Sequence, residues 1–424
     1  SAQIQALIDD HPGCTILFPS GRTWVVADLV LPDGARIEVD GTVAMAGGAH
    51  PTATLFTTTE EPHANVHITG RGVLVGNLYA QNSNAHHELI RLHACSDCSV
   101  TGLRLGGNAR KNPPNPLVQP QGACLHINGA ERFVARDLRF HNYSEEALWC
   151  FDCHHSVITH VHTSQDAGRT AGWSGIQLKG DHNILSHIQV RNSGASGVSV
   201  DAAYSIVSDI MIDGTQFFQG LNLGHSGKVP SYSRVTNVIV RNAAQFGINV
   251  GFGTTGVQFS NVLVDGAGSH GINVSNLATG IIFSGVNLRN VKGYGIYLWG
   301  AVVSVVDADL THVLATSKLR AGGAEAPDGE GYALGVANVL NGGQLEFRNV
   351  RLSWDYPLWS TLDTSAAYEI INDNISQYSA MRLVPLNLAA AQAMAFLTPL
   401  GAGKVRVDFV NPPTSSARVR YAID

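Results

Sequence analysis

The chain has 424 residues, of which 44% are hydrophobic and only 14% charged, so it can bury a large core and lacks the composition of a disordered protein. Its formal net charge is −6 and it has no dense run of Lys and Arg, which argues against a nucleic-acid partner. No apolar run approaches the roughly 18 residues of a membrane helix, so we expect no membrane insertion. Because an initiator methionine is missing, we expect a processed or truncated chain.

Residues 1–11 have the pattern of a short amphipathic helix. Ser1 is placed to cap its start, and Pro12-Gly13 follows its end. Its apolar stripe consists of Ile4, Leu7 and Ile8. A solenoid core needs a cover at its open end, so residues 1–50 are predicted to form an N-terminal cap with the first strands.

One short template recurs through the middle of the chain. Its copies are "GIQLKG" (175–180), "GVSVDA" (197–202), "GLNLGH" (220–225), "GINVGF" (247–252), "GINVSN" (271–276) and "GIYLWG" (295–300). Their first residues are 22, 23, 27, 24 and 24 positions apart, and a second alternating strand follows each copy. Weaker copies begin at 123 and 147 and near 89. This period, without helices, predicts the coils of a parallel β-helix. The signature of leucine-rich repeats is missing, and a β-sandwich would not keep a fixed phase.

The predicted organisation is therefore all-β: the parallel β-helix spans residues 51–355, and residues 356–424 form a last coil with a small β element. That element would be a C-terminal cap or an oligomerisation piece. Three long insertions, 106–121, 164–174 and 316–330, interrupt the period. Long loops in a regular solenoid are either mobile padding or the walls of a binding groove.

The start "IQALIDDHPGCTILFPSGRTWVV" and coils such as "GINVGFGTTGVQFSNVLVDGAGSHGINVS" resemble the pectate-lyase-like right-handed parallel β-helix superfamily, and within it the β-helical tailspikes of bacteriophages. The resemblance implies a homotrimer that binds and cuts bacterial surface polysaccharide, located on a virion tail or outside the cell. It implies no cofactor. The chain departs from three related activities. The Asp-Asp and Gly-His-Gly motifs of polygalacturonases are absent, apart from a faint echo in "NLGHSG". The Asp-Pro-His motif of alginate epimerases and the clustered calcium-binding aspartates of pectate lyases are also absent.

Alternation within each template places two columns of side chains on the outside of the coils. The first column is Arg91, His126, Trp149, Gln177, Ser199, Asn222, Asn249, Asn273 and Tyr297. The second column is His93, Asn128, Phe151, Lys179, Asp201, Gly224, Gly251, Ser275 and Trp299. Lys179 and Asp201 occupy adjacent coils, about 5 Å apart between Cα atoms. They form either a surface ion pair or a charged pair in a groove.

Two kinds of cleavage chemistry fit these residues. Glu146 lies just before the strand at 147, two coils from Asp201, and is predicted to form with it the two carboxyl groups of an inverting hydrolase. A lyase acting on a uronic acid needs a base and cations for the carboxylate. The lyase candidates are Lys179, Arg91, Arg169, His126 and His225, with Asp166 and Arg169 reaching over the face from the inserted loop.

Aromatic and amide side chains on the same columns would bind sugar. The predicted substrate-binding residues are Arg91, Trp149, Trp173, Asn222, Tyr297 and Trp299. For Tyr297 and Trp299 the alternative is packing against a neighbouring subunit or the C-terminal element. The function favoured by the sequence is a polysaccharide depolymerase, lyase or hydrolase; the alternative is a non-catalytic adhesin or a fibre domain.

Two Cys-x-x-Cys pairs raise the possibility of zinc. Cys150 falls on a core position of the alternation, and Cys95 aligns with Cys153 two coils away, about 10 Å distant. Zinc–sulfur bonds of about 2.3 Å cannot span that distance. We therefore predict no metal site and free thiols, which suit a protein that folds in a reducing cytoplasm.

Overall fold

The computed structural model describes residues 1–46, 53–76, 88–107, 122–166, 173–224, 230–312, 337–340, 344–351, 368–371, 381–385, 395–401, 404–409 and 419–423, with side chains as far as residue 310. The predicted boundaries at 50/51 and 355/356 lie outside these residues, as does most of each predicted insertion. The chain divides into two compact units, Ser1–Phe218 and Gln219–Asp424. Both consist of right-handed parallel β-helix, which confirms the predicted fold class.

In its described residues the first unit contains one helix and twenty-one strands. Its helix is α1 (Ala2–Asp10). Its strands are β1 (Thr15–Phe18), β2 (Thr23–Val26), β3 (Leu29–Val30), β4 (Arg36–Val39), β5 (Thr42–Met45), β6 (Thr54–Thr57), β7 (His63–Ala64), β8 (His67–Gly70), β9 (Val73–Val75), β10 (Glu88–His93), β11 (Cys95–Ser96), β12 (Ser99–Thr101), β13 (Arg104–Gly106), β14 (Leu125–Asn128), β15 (Val134–His141), β16 (Leu148–His154), β17 (Val157–Ser164), β18 (Ile176–Asp181), β19 (Ile184–Ser193), β20 (Val198–Ala203) and β21 (Ile206–Thr215).

Helix α1 covers the open edge of β3, as expected of a cap. The Gln5 side chain takes the place of a neighbouring strand: its Nε2 donates to Val30 O at 2.9 Å, and its Oε1 accepts from Val30 N at 2.8 Å. Two expectations for the helix were wrong. The Ser1 hydroxyl makes no cap and accepts from Ala27 N at 3.0 Å. Leu7 is half exposed, because the short helix buries only Ile8.

The coils of the first unit alternate a short strand with a long one. The short strands β3, β6, β10, β14, β16, β18 and β20 stack in parallel in that order and form the surface called here the short-strand face. The long strands β15, β17, β19 and β21 also stack in parallel. Each long strand bends at a residue with left-handed φ, such as Asp137 (φ 57) or His160 (φ 53), a conformation that Asp, Asn and His tolerate better than most residues. The bend divides the long strand into a first arm and a second arm.

The second unit repeats this plan and adds antiparallel strands. Its strands are β22 (Leu221–Leu223), β23 (Arg234–Ala243), β24 (Ile248–Val250), β25 (Gln258–Ala267), β26 (Ile272–Val274), β27 (Ile281–Val291), β28 (Ile296–Trp299), β29 (Val302–His312), β30 (Ala337–Leu340), β31 (Gln344–Arg351), β32 (Tyr368–Ile371), β33 (Met381–Pro385), β34 (Ala395–Gly401), β35 (Lys404–Phe409) and β36 (Val419–Ile423). The pairs β32–β35, β34–β35 and β33–β36 are antiparallel, and they form the small C-terminal β element that the sequence predicts.

The predicted inward positions form the core in both units. In the first unit Ile176, Leu178, Val198 and Val200 are fully buried. In the second unit the equivalent positions of β24, β26 and β28 are buried to the same extent, and Phe259 stacks on Phe283 with ring centroids 4.3 Å apart. The repeat therefore specifies the core because each apolar column meets itself in the next coil.

Candidate functional site

The short-strand face places the first predicted column in register. Arg91 pairs with His126, His126 with Trp149, Trp149 with Gln177 and Gln177 with Ser199. Neighbouring strands lie about 4.8 Å apart, so these side chains form one continuous ladder along the coils. The ladder follows the predicted outward column, but not all of it is surface: Arg91, Trp149 and Gln177 are partly exposed, whereas His126 and Ser199 are buried.

A β-bulge in β16 modifies the second column. The register with β18 shifts between Cys150 and Cys153, so Phe151 and Asp152 together oppose the single residue Lys179. Asp152 adopts a left-handed φ of 56°. The Lys179 Nζ lies 5.1 Å from the centre of the Phe151 ring, a cation–π contact. The bulge thereby turns an aromatic ring under the only lysine of this face that the described residues contain.

Two adjacent glutamates, Glu145 and Glu146, form the corner before β16. Both are buried, with 8% and 4% of their surface exposed. The preceding and following coils hold this corner by backbone hydrogen bonds, since Cys124 N donates to Glu146 O at 3.1 Å and Trp173 N donates to Glu145 O at 3.3 Å. The main chain therefore fixes where the two carboxyl groups can reach.

The side chains of this pair differ in their hydrogen bonding. Glu145 Oε2 accepts from Gly122 N at 3.2 Å. Glu146 Oε2 is buried and has no hydrogen-bond partner among the residues that the structure describes. A buried polar atom without a partner is rare in folded proteins and often marks a functional site. The Glu146 carboxyl group therefore has unused hydrogen-bonding capacity at a buried position.

Burial raises the pKa of both carboxyl groups. For Glu145 the pKa rises to about 7, chiefly through burial and partly through the charge of Glu88, against a lowering by the Gly122 hydrogen bond. For Glu146 burial and the neighbouring Glu145 charge raise the pKa well above its ordinary value, while Lys179 lowers it. Such a group keeps its proton near neutral pH, as a general acid must.

A third carboxyl group, Glu88 on β10, was missing from the sequence prediction. Its Oε1 lies 2.8 Å from His126 Nδ1, and its Oε2 lies 3.5 Å from Arg91 Nε. The register Ile90–Leu125–Leu148 puts Glu88 and Glu146 at the same level along their strands, two coils apart. Two inter-strand steps amount to about 10 Å between backbones. The spacing of Glu88 and Arg91 in the sequence is the only signal that could have indicated this residue.

Register also determines where Asp201 lies relative to Glu146. Leu148 pairs with Ile176 and Ile176 with Val198, so Asp201 lies five residues further along the strand direction than Glu146. At about 3.3 Å per residue this displacement is roughly 16 Å, in addition to the two coils. Asp201 does pair in register with Lys179, as predicted, and is 1% exposed. The structure therefore groups Glu146 with Glu88 rather than with Asp201.

The aromatic rings form a platform beside the carboxyl groups. His126 stacks face to face on Trp149, with ring centroids 4.4 Å apart and planes 5° apart. Phe151 meets Trp149 edge to face at 6.5 Å. The Trp149 Nε1 atom is buried without a hydrogen-bond partner in the described part of the chain. It is a buried donor with unused hydrogen-bonding capacity.

Four other predicted residues are Asp166 and Trp173, which the structure describes, and Arg169 and His225, which it does not. Asp166 accepts from Asn142 Nδ2 at 2.8 Å and lies 3.3 Å from His141 Nε2, at the end of the long strands. Trp173 is half-buried and its backbone holds the Glu145 corner. The predicted roles of all four stay predictions.

In the second unit the predicted sugar-binding residues contact one another and their neighbours. Asn249 Nδ2 donates to Asn222 Oδ1 at 2.7 Å, and Asn273 Nδ2 donates to Asn249 Oδ1 at 2.6 Å, so Asn222 belongs to an asparagine ladder. Tyr297 stacks on His270 with centroids 4.6 Å apart. Trp299 is 47% exposed at the end of β28. Its large exposed ring stays a candidate for sugar binding.

Among the described residues one group has the composition of a metal site. Ligand atoms of His155, Asp181 and His182 lie within 4.8 Å of one another. Hydrogen bonds already use Asp181, because His154 Nδ1 and His182 Nδ1 each lie 2.9 Å from its Oδ1. These contacts lower the pKa of the Asp181 carboxyl group, and the hydrogen bond with His182 contributes most to the lowering. The rings of His155 and His182 stack at the turn, as do those of His182 and Tyr204.

The cysteines require one correction. Cys95 and Cys98 were predicted to be free thiols, but the structure joins them in a disulfide, with Cα atoms 6.0 Å apart. The turn after β10 brings the two side chains together, and this distance lies within the range that a disulfide spans. Cys150 and Cys153 are free and buried, and Cys150 is a core residue as predicted.

The part of the chain that the structure describes contains no helix long and apolar enough to span a membrane.

Comparisons with known proteins agree with this fold. Residues 123–288 match the family model described as "Right handed beta helix region". The chain is similar in structure to the tailspike protein of E. coli bacteriophage HK620 in complex with a pentasaccharide, with a TM-score of 0.59, 14% sequence identity, and coverage of 100% of this chain and 88% of that chain. A mutant of the same tailspike in complex with a pentasaccharide has a TM-score of 0.62 at the same identity and coverage. No curated protein matches the sequence.

Proposed function

We propose that this protein is a glycoside hydrolase that cleaves a bacterial surface polysaccharide at the short-strand face. The observation that carries the proposal is the carboxyl group of Glu146. It is buried, it has an oxygen without a hydrogen-bond partner in the described residues, and its pKa is raised well above its usual range. A carboxyl group kept protonated near neutral pH is what glycosidic cleavage requires of its acid.

Glu88 is the second carboxyl group of the proposed reaction. An inverting hydrolase uses carboxyl groups about 6.5–9.5 Å apart, so that a water molecule fits between the base and the sugar. Glu88 and Glu146 stand two coils apart at the same strand level, which is about 10 Å between backbones before the side chains converge. His126 and Arg91 hold the Glu88 side chain in place.

The proposed reaction follows from these positions. Glu146 transfers its proton to the glycosidic oxygen as the bond from that oxygen to the anomeric carbon breaks. Glu88 takes a proton from water, whose oxygen bonds to the anomeric carbon. Trp149, stacked on His126, supports the sugar ring. The charge of Lys179 lowers the pKa of Glu146 and so makes the carboxyl group a stronger proton donor.

The biological setting is part of the proposal. The fold likeness to a phage tailspike that was crystallised with a pentasaccharide supports a saccharide ligand and a place on a virion tail or outside the cell. The homotrimer that the sequence resemblance implies is also part of the proposal. Light scattering after size exclusion tests the trimer directly, since the expected mass is three times that of one chain. A monomer at micromolar concentration would contradict this part.

Incubation with a panel of bacterial capsules and lipopolysaccharide chains tests the activity. The hydrolase proposal expects new reducing ends from at least one glycan, without the ultraviolet absorbance of unsaturated uronates. Glu146→Gln and Glu88→Gln should each abolish release, by about 100-fold or more. Glu61→Gln, which alters an exposed carboxylate, is the matched control. An absorbance rise would indicate a lyase, and glycan binding without products would indicate an adhesin.

A further inference from the structure

A cleft lies over the long strands of the first unit, away from the short-strand face. It has a volume of about 790 Å³, lies over the second arms of these strands and is bordered by β9, β13, β15, β17 and β19. A smaller cleft of about 350 Å³ shares Arg104, Arg139 and His162 with it. Sites for organic ligands are commonly of this size. The proposed hydrolase does not use any residue that lines either cleft.

The cleft has an unusual column of like charges. Arg104 pairs in register with Arg139, and Arg139 with His162, so the three lie on successive coils about 4.8 Å apart. Arg191 borders the same cleft, and Arg71 borders the smaller one. Like charges directly opposite each other on neighbouring strands destabilise a sheet. The two facing arginines therefore reduce the stability of the sheet, and a role in binding would explain why they are present.

Acids lie at the edges of this cleft rather than beside Arg104 and Arg139. Arg191 pairs in register with Asp213 on β21, the next strand of the stack. The acid at the smaller cleft is Asp137, whose Oδ2 lies 3.4 Å from Arg136 Nε. At the far end Asp166 lies beside His141. Positive charge therefore stays concentrated in the middle of the cleft.

His162 lies within this group of arginines. Its pKa lies below the ordinary histidine value, first because of partial burial and then because of the charges of Arg139 and Arg191 and of His160. A bound anion would compensate the charges that act on this ring. The arginines around this ring thus favour an anionic ligand extended along the direction in which the coils stack.

We propose that this cleft binds an acidic oligosaccharide stretch through Arg104, Arg139 and Arg191, as a site separate from the cleavage site. Guanidinium groups hold carboxylates and phosphates by paired hydrogen bonds, which suits negatively charged groups repeated along a glycan. Arg104 and Arg139 lie on successive coils, and Arg191 lies two coils beyond Arg139 and two residues further along the strand direction, so the three would meet anionic groups spaced along one chain. The inference does not depend on the hydrolase assignment.

A saccharide fits the cleft better than a nucleic acid. Single-stranded nucleic acids are held by bases stacked on aromatic side chains in a basic groove. Of the residues that line the cleft, Phe140 is the sole Phe, Tyr or Trp, and it is 1% exposed. The chain as a whole is also acidic. An arginine column without an aromatic platform favours anionic groups on sugars.

Calorimetry on the full chain tests the proposal with four probes: alginate oligosaccharides for carboxylates, heparin oligosaccharides for sulfates, neutral dextran oligosaccharides, and inorganic phosphate. We expect at least one acidic oligosaccharide to bind, with affinity that falls as salt rises, and dextran not to bind. Arg104→Gln with Arg139→Gln should weaken binding about tenfold or more. Arg104→Lys with Arg139→Lys keeps the charge but not the paired hydrogen bonds and should have an intermediate effect.

Arg234→Gln, on an exposed arginine of the second unit, is the matched control and should bind as the unchanged protein does. Glu146→Gln should also bind normally, which separates this site from the cleavage site. Equal binding by the double Gln variant would overturn the proposal. So would equal affinity for dextran, for free phosphate or for single-stranded DNA, since each outcome removes the need for an acidic glycan.

Discussion

His126 stacks on Trp149 with their planes 5° apart, and the same imidazole lies 2.8 Å from the carboxylate of Glu88. One ring thus connects the aromatic platform of the short-strand face to its carboxyl groups. The connection exists because Arg91, His126 and Trp149 share one register column, and Glu88 lies three residues before Arg91. Changes to the platform should therefore affect sugar binding and the placement of Glu88 together.

Trp149→Ala should weaken binding of the oligosaccharide product about tenfold, because the ring offers a large apolar surface to a sugar face and its Nε1 offers a free donor. Titration calorimetry with the purified product measures the change. Phe252→Ala, which removes an exposed ring of the second unit, is the control and should leave affinity unchanged. Equal affinities for both variants would remove Trp149 from the site.

Glu145 should make stability depend on pH. Its pKa of about 7 lies above the unfolded value of 4.5, so the unfolded state loses its proton first as pH rises. The stability that the protonated group allows is present below about pH 4.5 and is lost as pH rises to about 7, at about 1.4 kcal/mol per pKa unit at most. Urea unfolding of the protein and of Glu145→Gln between pH 4 and 8 measures this. The variant should lose less stability over that interval; identical slopes would refute the assignment.

Lys179→Met should move the pH profile of cleavage. The lysine charge lowers the pKa of Glu146, so its removal raises that pKa. Cleavage needs the protonated acid, so the fall of activity at high pH should move to higher pH. Lys292→Met, on an exposed lysine of the second unit, serves as the control. A shift to lower pH would show that Glu146 is not the proton donor.

Asn249→Ala should destabilise the second unit by about 2 kcal/mol, because it breaks two side-chain hydrogen bonds and leaves the amides of Asn222 and Asn273 without this partner. Chemical unfolding followed by circular dichroism measures the loss. Gln258→Ala alters an exposed polar residue of the neighbouring strand and should change stability by less than about 0.5 kcal/mol. A small loss for both variants would mean that the ladder does not stabilise the coils.

The cysteines should react in three steps with an alkylating reagent. Without reductant the folded protein should be modified at Cys14 alone, which is exposed. Unfolding should add the buried thiols Cys124, Cys150 and Cys153, and reduction should add the Cys95–Cys98 pair. Intact mass spectrometry counts the adducts. Modification of Cys95 in the unreduced, unfolded protein would contradict the disulfide.

The repeat and its phase were readable because a solenoid converts a column of sequence into a column in space. Ile176, Val198 and Ile248 are core residues, and His126 pairs with Trp149, as the alternation predicts. The bulge at Phe151 could not be predicted from the sequence, because one extra residue in a strand does not interrupt the alternation of apolar and polar residues visibly. Neither was the disulfide, which depends on the turn geometry after β10.

The pair Glu88 and Glu146 shows most clearly what the sequence predicts and what the tertiary structure adds. Sequence alone determined the fold class, the coil boundaries and the face on which charged and aromatic side chains collect, because hydrophobic periodicity is a local property of the chain. Only the tertiary structure gave the level of each acid along the strands relative to Glu146. Two residues in a coil stack can be separated across the strands, by a number of coils, and along the strands, by a number of residues. Asp201 and Glu88 are each two coils from Glu146. Along the strands, however, Asp201 lies five residues from the level of Glu146, whereas Glu88 lies at the same level. Burial, which raises the pKa of Glu145 and Glu146, is likewise a property of the packed coils and not of the sequence pattern.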